Sequence, residues 1–264
     1  MKRLFLLLFF CVFSAHSSIH PVNDSINKIC DLHAGLADSN VLALSWQPGF
    51  CETHGFQVGK AECVHLSPKD WHFNHLVLHG LWPNQSACGI NYAFCETQPR
   101  TNHCDYDPVI LNTPADHELK QKMPSYAYGS CLERHEWNKH GTCQALSSSD
   151  YFSLASRLTD EANNTRLSEF LRDNQGEQVS LLQIEQVIKA SFGQSGLAKV
   201  HLACKGKILV DIAIHLPAQL PFDATLQQLI DEAPAKRQAQ GCPKLVKISN
   251  AYYEKSLAQP TRLH

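Results

Sequence analysis

Cysteine is the residue type that most constrains how this chain can fold. Eleven cysteines occur in 264 residues, and ten of them are spread over the chain after its first 29 residues: Cys30, Cys51, Cys63, Cys88, Cys95, Cys104, Cys131, Cys143, Cys204 and Cys242. No two are spaced C-x-x-C, so the sequence gives no support to a structural zinc site. An even set of this size in an exported protein predicts up to five disulfides.

The first residues, MKRLFLLLFFCVFSAHSS, predict export. A short positive start, Lys2 and Arg3, is followed by an apolar run at 4–13 and then by small residues, which is typical of a signal peptide and too short to span a bilayer. A buried first helix is the alternative, but it would need a polar face, which the run lacks. We expect residues 1–17 to be removed, with Cys11. The product would be secreted or periplasmic, or vacuolar or lysosomal in a eukaryote, with no membrane anchor.

The charge of the chain excludes a broad basic surface for duplex nucleic acid. The formal charge is −2 with neutral histidines, and loss of Lys2 and Arg3 would make it more negative. Fifteen histidines become positive below about pH 6.5. An anionic ligand would therefore be held by a local site or in a mildly acidic compartment.

The pattern along the chain predicts one domain at 25–250 and a tail at 251–264, because neither a repeat nor a low-complexity linker interrupts it. Strands are predicted at 41–47, at 75–82 up to its glycine, and at 207–215. In the last of these, alternation places four residues on one face: Ile208, Val210, Ile212 and Ile214.

Helices are predicted at 150–162 and at 180–192, where Ser180 could cap the helix and Gly193 could end it. The segment 83–128 is rich in Pro, Asn, Cys and Gly and predicts loops pinned by disulfides. Strands and helices do not alternate regularly, so we expect an α+β fold. Its core would be an antiparallel β-sheet with several packed helices, stapled by disulfides.

The segment "RHEWNKHGTC", residues 134–143, is crowded with ionisable groups and is predicted to be helical. Ser130 and Glu133 fit an S-x-x-E capping box, and Gly141 is a natural end point. A short helix here would present several charged side chains together, which is uncommon for a surface that only needs solvation.

The angular positions on this helix bear on whether it binds a metal. At about 100° per residue, Lys139 lies about 40°, Glu136 about 100° and His140 about 140° from His135. The zinc-protease motif H-E-x-x-H places its histidines four residues apart, about 40° around the helix. Here they are five apart, and the Lys139 ammonium between them would repel a dication. A metallohydrolase is disfavoured, and an acid–base site remains beside the alternative of an ordinary solvated face.

A second segment, "HLVLHGLWPN" at 75–84, supplies a partner for the helix. His79 ends the predicted strand at a glycine, where side chains can face a cleft. A lone histidine there is more often a core residue, which is our interpretation of His75. Together with the helix, His79 would give two imidazoles, a cation and a carboxylate. That set suits phosphoryl transfer without a metal, and Trp82 offers a flat face for a base.

"HGLWPN" and "HEWNKHGTC" resemble the two active-site segments of the ribonuclease T2 family, in the expected order about 55 residues apart. "SWQPGFC" and the pair Cys204 and Cys242 also resemble family features. The resemblance implies an endoribonuclease, an RNA-cyclising lyase without a cofactor. It would cleave single-stranded RNA through 2′,3′-cyclic phosphates to 3′-phosphate ends.

The same resemblance assigns roles to individual residues. His79 would be the general acid, and His140 the general base that takes the proton of the ribose 2′-hydroxyl. His135 would bind phosphate, while Glu136 and Lys139 would stabilise the pentacovalent transition state. Two further residues, Trp82 and Asn84, match positions that hold a base, and Tyr92 is a loose candidate for another aromatic contact.

The resemblance also implies disulfide pairs. It pairs Cys143 with Cys95, Cys204 with Cys242, and Cys63 with Cys131. No obligate protein partner is expected, and the protein would be a monomer. A non-catalytic binding protein descended from such an enzyme is the remaining alternative, and loss of a catalytic residue would be its mark. All five matched catalytic positions are intact.

Overall fold

The computed structural model describes residues 30–89, 91–235 and 240–252. The predicted leader at 1–17 and all but two residues of the predicted tail lie outside them. The strands are β1 (Ser39–Trp46), β2 (Leu76–Asn84), β3 (Gln178–Ser180), β4 (Val200–Lys205), β5 (Ile208–Pro217) and β6 (Leu245–Lys247). The helices are α1 (Gln47–Phe50), α2 (Ala61–Val64), α3 (Trp71–Asn74), α4 (Thr113–Lys122), α5 (Pro124–Ala127), α6 (Leu132–Lys139), α7 (Ser148–Asn163), α8 (Arg166–Asp173), α9 (Leu181–Gly196) and α10 (Leu226–Glu232).

A six-stranded sheet forms the centre of the fold, in the order β2-β1-β5-β6-β3 with β4 paired to β5. All its pairings are antiparallel except the short parallel contact between β5 and β6. The largest core cluster joins buried side chains of β1, β2 and β5 to those of α7 and α9. The predicted α+β class with an antiparallel core is therefore confirmed. None of the helices in the described ranges is long and apolar enough to cross a membrane.

Strand β2 extends further than its sequence pattern indicated, and it carries a β-bulge at the point that matters for function. The predicted strand stops at Gly80, whereas β2 continues to Asn84. Leu78 pairs with Leu44 and Gly80 pairs with Ala43, so His79 is the extra residue of the bulge. Bulges bend a strand and redirect a side chain. The imidazole therefore projects from inside the sheet, not from a strand end.

A second bulge corrects the predicted face of β5. Cys204 pairs with Leu209 and Ala203 pairs with Asp211, which leaves Val210 as the extra residue. The alternation changes phase there, so the fully buried side chains of β5 are Leu209, Ile212, Ile214 and Leu216. Ile208 and Val210 are only half-buried, and the prediction that they share a face with Ile212 is wrong.

Five disulfides link the ten cysteines of the described chain: Cys30–Cys88, Cys51–Cys63, Cys95–Cys143, Cys104–Cys131 and Cys204–Cys242. Cys95–Cys143 and Cys204–Cys242 are as predicted. The predicted pair of Cys63 and Cys131 is wrong, because Cys63 is bonded to Cys51 and Cys131 to Cys104. Cys51 and Cys63 close a short loop with their Cα atoms 5.3 Å apart.

The predictions for the two longest helices are confirmed. Helix α7 covers the predicted 150–162, and α9 begins after Ser180, whose hydroxyl and Gln183 form a capping box. Gly193 ends the regular part of α9 as predicted, because its φ of +69° is not helical. A separate short helical turn follows it up to Gly196.

The segment predicted to be loops, 83–128, contains α4 and α5. Signals for α4 are present in the sequence: the Asn112 carboxamide oxygen accepts the Ala115 N–H at 2.9 Å, and Pro114 lies in the first turn, where its missing N–H costs nothing. Asn112 and Pro114, which were interpreted as loop residues, instead mark the beginning of α4.

Asn163 ties the end of α7 to the beginning of β2. Its side-chain oxygen accepts the N–H of Leu76 and the hydroxyl of Ser168, both at 2.9 Å, and its amide donates to the carbonyls of Leu76 and Thr159. Although Asn163 begins an N-x-T sequon, this buried amide is fully hydrogen-bonded. A glycan on its nitrogen is therefore incompatible with the folded chain.

Candidate active site

The imidazole of His79 points between two carboxylates. Its Nδ1 lies 3.5 Å from Oδ1 of Asp211 on β5, and its Nε2 lies 3.9 Å from Oε1 of Glu136 on α6. Asp211 is held by the Ser45 hydroxyl, which donates to the same oxygen at 2.5 Å. Burial alone lowers the pKa of His79. The hydrogen bond with Asp211 and the negative charges of Glu136 and Asp211 outweigh that effect, so its pKa lies above the usual range.

Glu136 is buried, and Trp82 holds its position. The Trp82 indole N–H donates to Glu136 Oε2 at 2.7 Å, and the side chain of Glu136 is 1 % exposed. Burial raises the pKa of Glu136, against the lowering effects of His79, of the Trp82 hydrogen bond and of Lys139. Gly80 lies directly beneath this contact: a Cβ there would collide with both Glu136 Oε2 and Trp82 Nε1. Only glycine leaves room for the pair.

His140 lies at the C-terminal end of α6, on the face of Trp82. The two rings are stacked with centroids 5.4 Å apart, while His79 meets the same indole edge-on at 5.2 Å. His140 is nearly buried, and its Nδ1 has no hydrogen-bond partner among the described side chains and backbone. Burial, followed by the charges of Lys139, His135 and His79, lowers the pKa of His140 to about 2.

His135, one turn earlier on α6, stacks on a histidine from a different part of the chain. Its ring lies 4.1 Å from that of His103 at 21°, and 6.5 Å from that of His140. Burial lowers the pKa of His135 to about 4, with contributions from His103, Lys139 and His79. Burial and the charges of Lys60 and Lys139 also lower the pKa of His103. These imidazoles are therefore neutral at neutral pH.

Disulfides and loop contacts fix α6 at both ends. The helix begins after Cys131, which adopts a left-handed conformation with φ 63° and is bonded to Cys104. The predicted capping box is wrong: the Ser130 hydroxyl donates to buried Glu62, and the cap makes no side-chain hydrogen bond. At the other end, Cys95–Cys143 holds the following turn against the loop whose Phe94 N–H donates to Lys139 O at 2.9 Å.

The residues predicted to hold a nucleobase differ in how far their side chains are already bound to other groups of the protein. One face of Trp82 is occupied by His140, and its indole N–H is bound to Glu136. The Asn84 amide donates to the Trp82 carbonyl at 3.0 Å. Tyr92 is buried, donates to His33 O at 2.8 Å and accepts from Leu36 N at 3.0 Å. It is not available as an additional base contact.

A cavity of about 480 Å³ opens on the His79 side of these residues. Its walls include His79, His103 and Asp211, together with apolar side chains such as Val77 and Met123. His140 and Trp82 do not line it. The described residues contain no group of three or more His, Cys, Asp or Glu side chains arranged to hold a metal ion.

Comparison with known proteins places the chain in a family. The model of the Ribonuclease T2 family matches residues 37–231. The chain belongs to the ribonuclease T2 family. Ribonuclease I of Escherichia coli (strain K12) is 31 % identical over 202 residues, which cover 69 % of this chain and 75 % of that protein. The resemblance deduced from the two motifs is thereby confirmed, and the protein is an endoribonuclease.

Solved structures have the same fold as this T2 ribonuclease. SF11-RNase, a protein of Nicotiana alata associated with gametophytic self-incompatibility, matches 81 % of this chain and 99 % of its own with a TM-score of 0.57 at 20 % identity. RNase NT in complex with 5′-AMP matches 81 % of this chain and 98 % of its own with a TM-score of 0.52 at 19 % identity. At these identities the similarity concerns the fold.

The structure brings together all five predicted catalytic residues of this T2 ribonuclease and adds two that the sequence did not reveal. Asp211 and His103 both touch the histidine cluster. Asp211 could have been noticed as the one charged residue inside the apolar strand 208–217. His103 offered no such signal, because only the Cys104–Cys131 disulfide and the fold bring its loop to α6.

Proposed function

We propose that this ribonuclease cleaves single-stranded RNA without a metal ion, by transphosphorylation to a 2′,3′-cyclic phosphate that is then opened to a 3′-phosphate. His79 protonates the leaving 5′-oxygen, and His140 removes the proton of the ribose 2′-hydroxyl. His135 binds the phosphate. Glu136 and Lys139 stabilise the pentacovalent transition state, in which negative charge on the phosphate increases.

The observation that carries this proposal is the opposite shift of two histidine pKa values around one tryptophan. The pKa of His79 is raised and that of His140 is lowered. At one pH, therefore, one ring is an imidazolium that can donate a proton and the other is a neutral imidazole that can accept one. Environments that shift the pKa values of two titratable groups in opposite directions in this way identify an acid and a base.

Lys139 on α6 supports the proposed stabilisation of negative charge in the transition state. Lys139 follows His135 by one turn of α6 and directly precedes His140, and its charge lowers the pKa values of both histidines. A bound phosphate would reverse the effect, because its negative charge favours the protonated forms. The same group that discourages protonation in the free enzyme thus helps to bind the anionic substrate.

The position of the cavity supports the direction of the acid and base assignment. His79 lines the cavity, whereas His140 does not. A nucleoside whose 5′-oxygen receives the proton of His79 would leave on the His79 side. The cavity has mixed apolar and polar walls, which suits a nucleoside.

We also infer that the enzyme is exported, with residues 1–17 as a cleaved leader, and that residues 25–250 form its one catalytic domain. Five disulfides persist in oxidising compartments and are rare in reducing ones. N-terminal sequencing of the mature protein tests this: the expected start lies just after residues 15–18, and a chain that retains Met1 would refute it.

The proposed chemistry is tested with RNA and DNA of the same sequence in excess EDTA. RNA cleavage should persist, because proton transfer and cationic side chains replace a Lewis acid. Single-stranded DNA should remain uncut, because it lacks the 2′-hydroxyl nucleophile. The first product should carry a cyclic phosphate, detected by mass spectrometry as the loss of one water relative to the open monophosphate.

Two outcomes would contradict the mechanism. Abolition of RNA cleavage by EDTA, with recovery on adding a divalent cation, would favour a metallohydrolase. Cleavage of DNA at a comparable rate would exclude the 2′-hydroxyl as the nucleophile.

A further inference from the structure

The cavity next to His79 has a basic rim that the proposed chemistry does not use. Four cationic or ionisable side chains line it in addition to His79: His54, Lys60, His103 and Lys205. They come from three separate parts of the fold, namely the loop 51–63, the short 3₁₀ turn His103–Asp105 and strand β4. Side chains so distant in sequence converge on one opening.

Two carboxylates line the same cavity, but neither is paired with a lysine of the rim. Asp211 is engaged with His79 and with the Ser45 hydroxyl. Glu62 is buried and accepts the hydroxyl of Ser130. In the part of the chain that the structure describes, neither Lys60 nor Lys205 forms an ion pair with a carboxylate. Their two ammonium groups are therefore available to an anion.

The rim is also held in place. The Cys51–Cys63 disulfide closes the loop that carries His54 and Lys60, and the Lys205 ammonium donates to Thr53 O in that loop at 3.0 Å. An ammonium has three donors, so this bond leaves Lys205 able to bind an anion.

The side of the rim formed by His103 is fixed equally well. Cys104 is bonded to Cys131 at the beginning of α6, and Arg134 donates to Cys104 O at 3.1 Å and to Tyr106 O at 2.8 Å. His103 therefore keeps its stacking contact with His135. Together, His135, His103 and Lys60 form a series of nitrogen-bearing side chains that leads from the predicted phosphate ligand to the rim.

We propose that Lys60 and Lys205, with His54 and His103 beside them, bind a second phosphate of the RNA, the one on the 3′ side of the leaving nucleoside. This inference rests on the proposed function, because it takes His79 as the acid and so places the leaving nucleoside in the cavity. A strand that passes from the scissile phosphate through the cavity would bring its next phosphate to the rim. Each lysine would contribute a charge-assisted contact that weakens as salt rises.

The test compares three small substrates that share one cleavable bond. ApU contains only the scissile phosphate, ApUp has an additional phosphate on the 3′ side, and pApU has it on the 5′ side. We expect the wild type to cleave ApUp with a kcat/KM about 5- to 20-fold higher than ApU at low salt, as expected for two solvent-screened ion pairs. The preference should fall at high salt, and pApU should show a smaller one.

The variant Lys60→Ala/Lys205→Ala should bring the ratio of ApUp to ApU close to one. The double substitution Lys69→Ala/Lys189→Ala removes the same charge from exposed positions that do not line the cavity, and it should retain the wild-type ratio. Lys60→Arg/Lys205→Arg should retain most of it, because the charge is preserved.

The outcomes separate this inference from the function on which it rests. A wild-type ratio near one, with ApU still cleaved to a cyclic product, overturns the second phosphate site and leaves the chemistry intact. A preference for pApU over ApUp also overturns it, because the extra phosphate would then bind on the opposite side. Cleavage of none of the three substrates by an enzyme that is folded counts against the proposed function itself.

Discussion

His79 and His140 touch the same indole ring, yet the two sides of the site surround them with opposite charges. On the sheet side, His79 lies between the carboxylates of Asp211 and Glu136. On the helix side, His140 is buried beside Lys139 and His135, and one of its ring nitrogens has no partner. Their neighbours alone thus shift the pKa values of two identical side chains in opposite directions, as the proposed acid and base require.

The two sides of the site also differ in how the fold holds His79 and His140 in place. The sheet side depends on two bulges: one projects His79 from β2, and the other, at Val210, precedes the residue that meets it, Asp211. The helix side depends on cross-links that hold α6 at both ends. Two different structural devices fix the two halves, so each half can be perturbed separately.

The largest effect should follow removal of either histidine. His79→Ala or His140→Ala should each lower turnover at least 100-fold, the low end of acid–base contributions. The double variant should lose far less than the product of the two, because the pair acts as a unit. Steady-state kinetics on single-stranded RNA, with circular dichroism to verify folding, measures both. Near-normal turnover in a folded His140→Ala protein would exclude it as the base.

The helix side is tested by Lys139→Gln. Loss of one positive group at the transition state should lower kcat about 100-fold. Because the charge of Lys139 lowers the pKa of His140, its removal raises that pKa. His140 must be neutral to act, so activity on the acidic limb of the pH profile should disappear at a higher pH than in the wild type. Lys139→Arg is the control and should leave the limb in place. An unmoved limb in Lys139→Gln would show that another group titrates there.

The sheet side is tested by Asp211→Asn, with a smaller expected effect of about tenfold on kcat near neutral pH. Asp211 raises the pKa of His79 through a hydrogen bond and its charge, so its loss lowers that pKa. His79 must be protonated to act, and the alkaline limb should therefore move to lower pH. The exposed Asp223→Asn variant removes the same charge elsewhere. If both variants shift the limb equally, the effect is one of net charge and not of contact.

The smallest catalytic effect should follow substitution of His75, which lies four residues before His79. It stacks on Trp71 with ring centroids 4.5 Å apart, and its Nδ1 lies 3.0 Å from the Trp71 carbonyl oxygen. His75→Ala should lower the free energy of unfolding by about 1–2 kcal/mol and leave turnover close to that of the wild type. Urea unfolding and kinetics on the same sample decide this; a 100-fold loss of turnover would place His75 in the chemistry.

Local sequence patterns were sufficient to predict elements whose signals lie within a few residues. The cap at Ser180 and the helix that contains His135 and Lys139 are examples. The same local reasoning was wrong at Ser130, whose hydroxyl donates to Glu62 far away in the sequence. A capping box and a distant carboxylate compete for one hydroxyl, and only the fold decides which of them is near.

The parts of the site that the sequence could not predict depend on register. An extra residue in one strand of a pair is invisible in a pattern of alternation, because it changes the phase without changing the composition. The bulge at Val210 therefore made the predicted face of β5 wrong, and it concealed the contact of Asp211 with His79. Disulfide partners have the same character. The family resemblance paired Cys63 with Cys131, and the spacing of the cysteines could not show that each lies near a different partner.

The absence of a side chain at Gly80 has a consequence for the history of such a chain. Every other amino acid would bring a Cβ into the space that Glu136 and Trp82 share, so no amino-acid replacement at this position is neutral for the arrangement. Glycine could be replaced during evolution only after the hydrogen bond between the Trp82 indole and the Glu136 carboxylate had been lost. That hydrogen bond holds a group proposed to act in catalysis. Position 80 therefore remains glycine for as long as selection maintains the reaction.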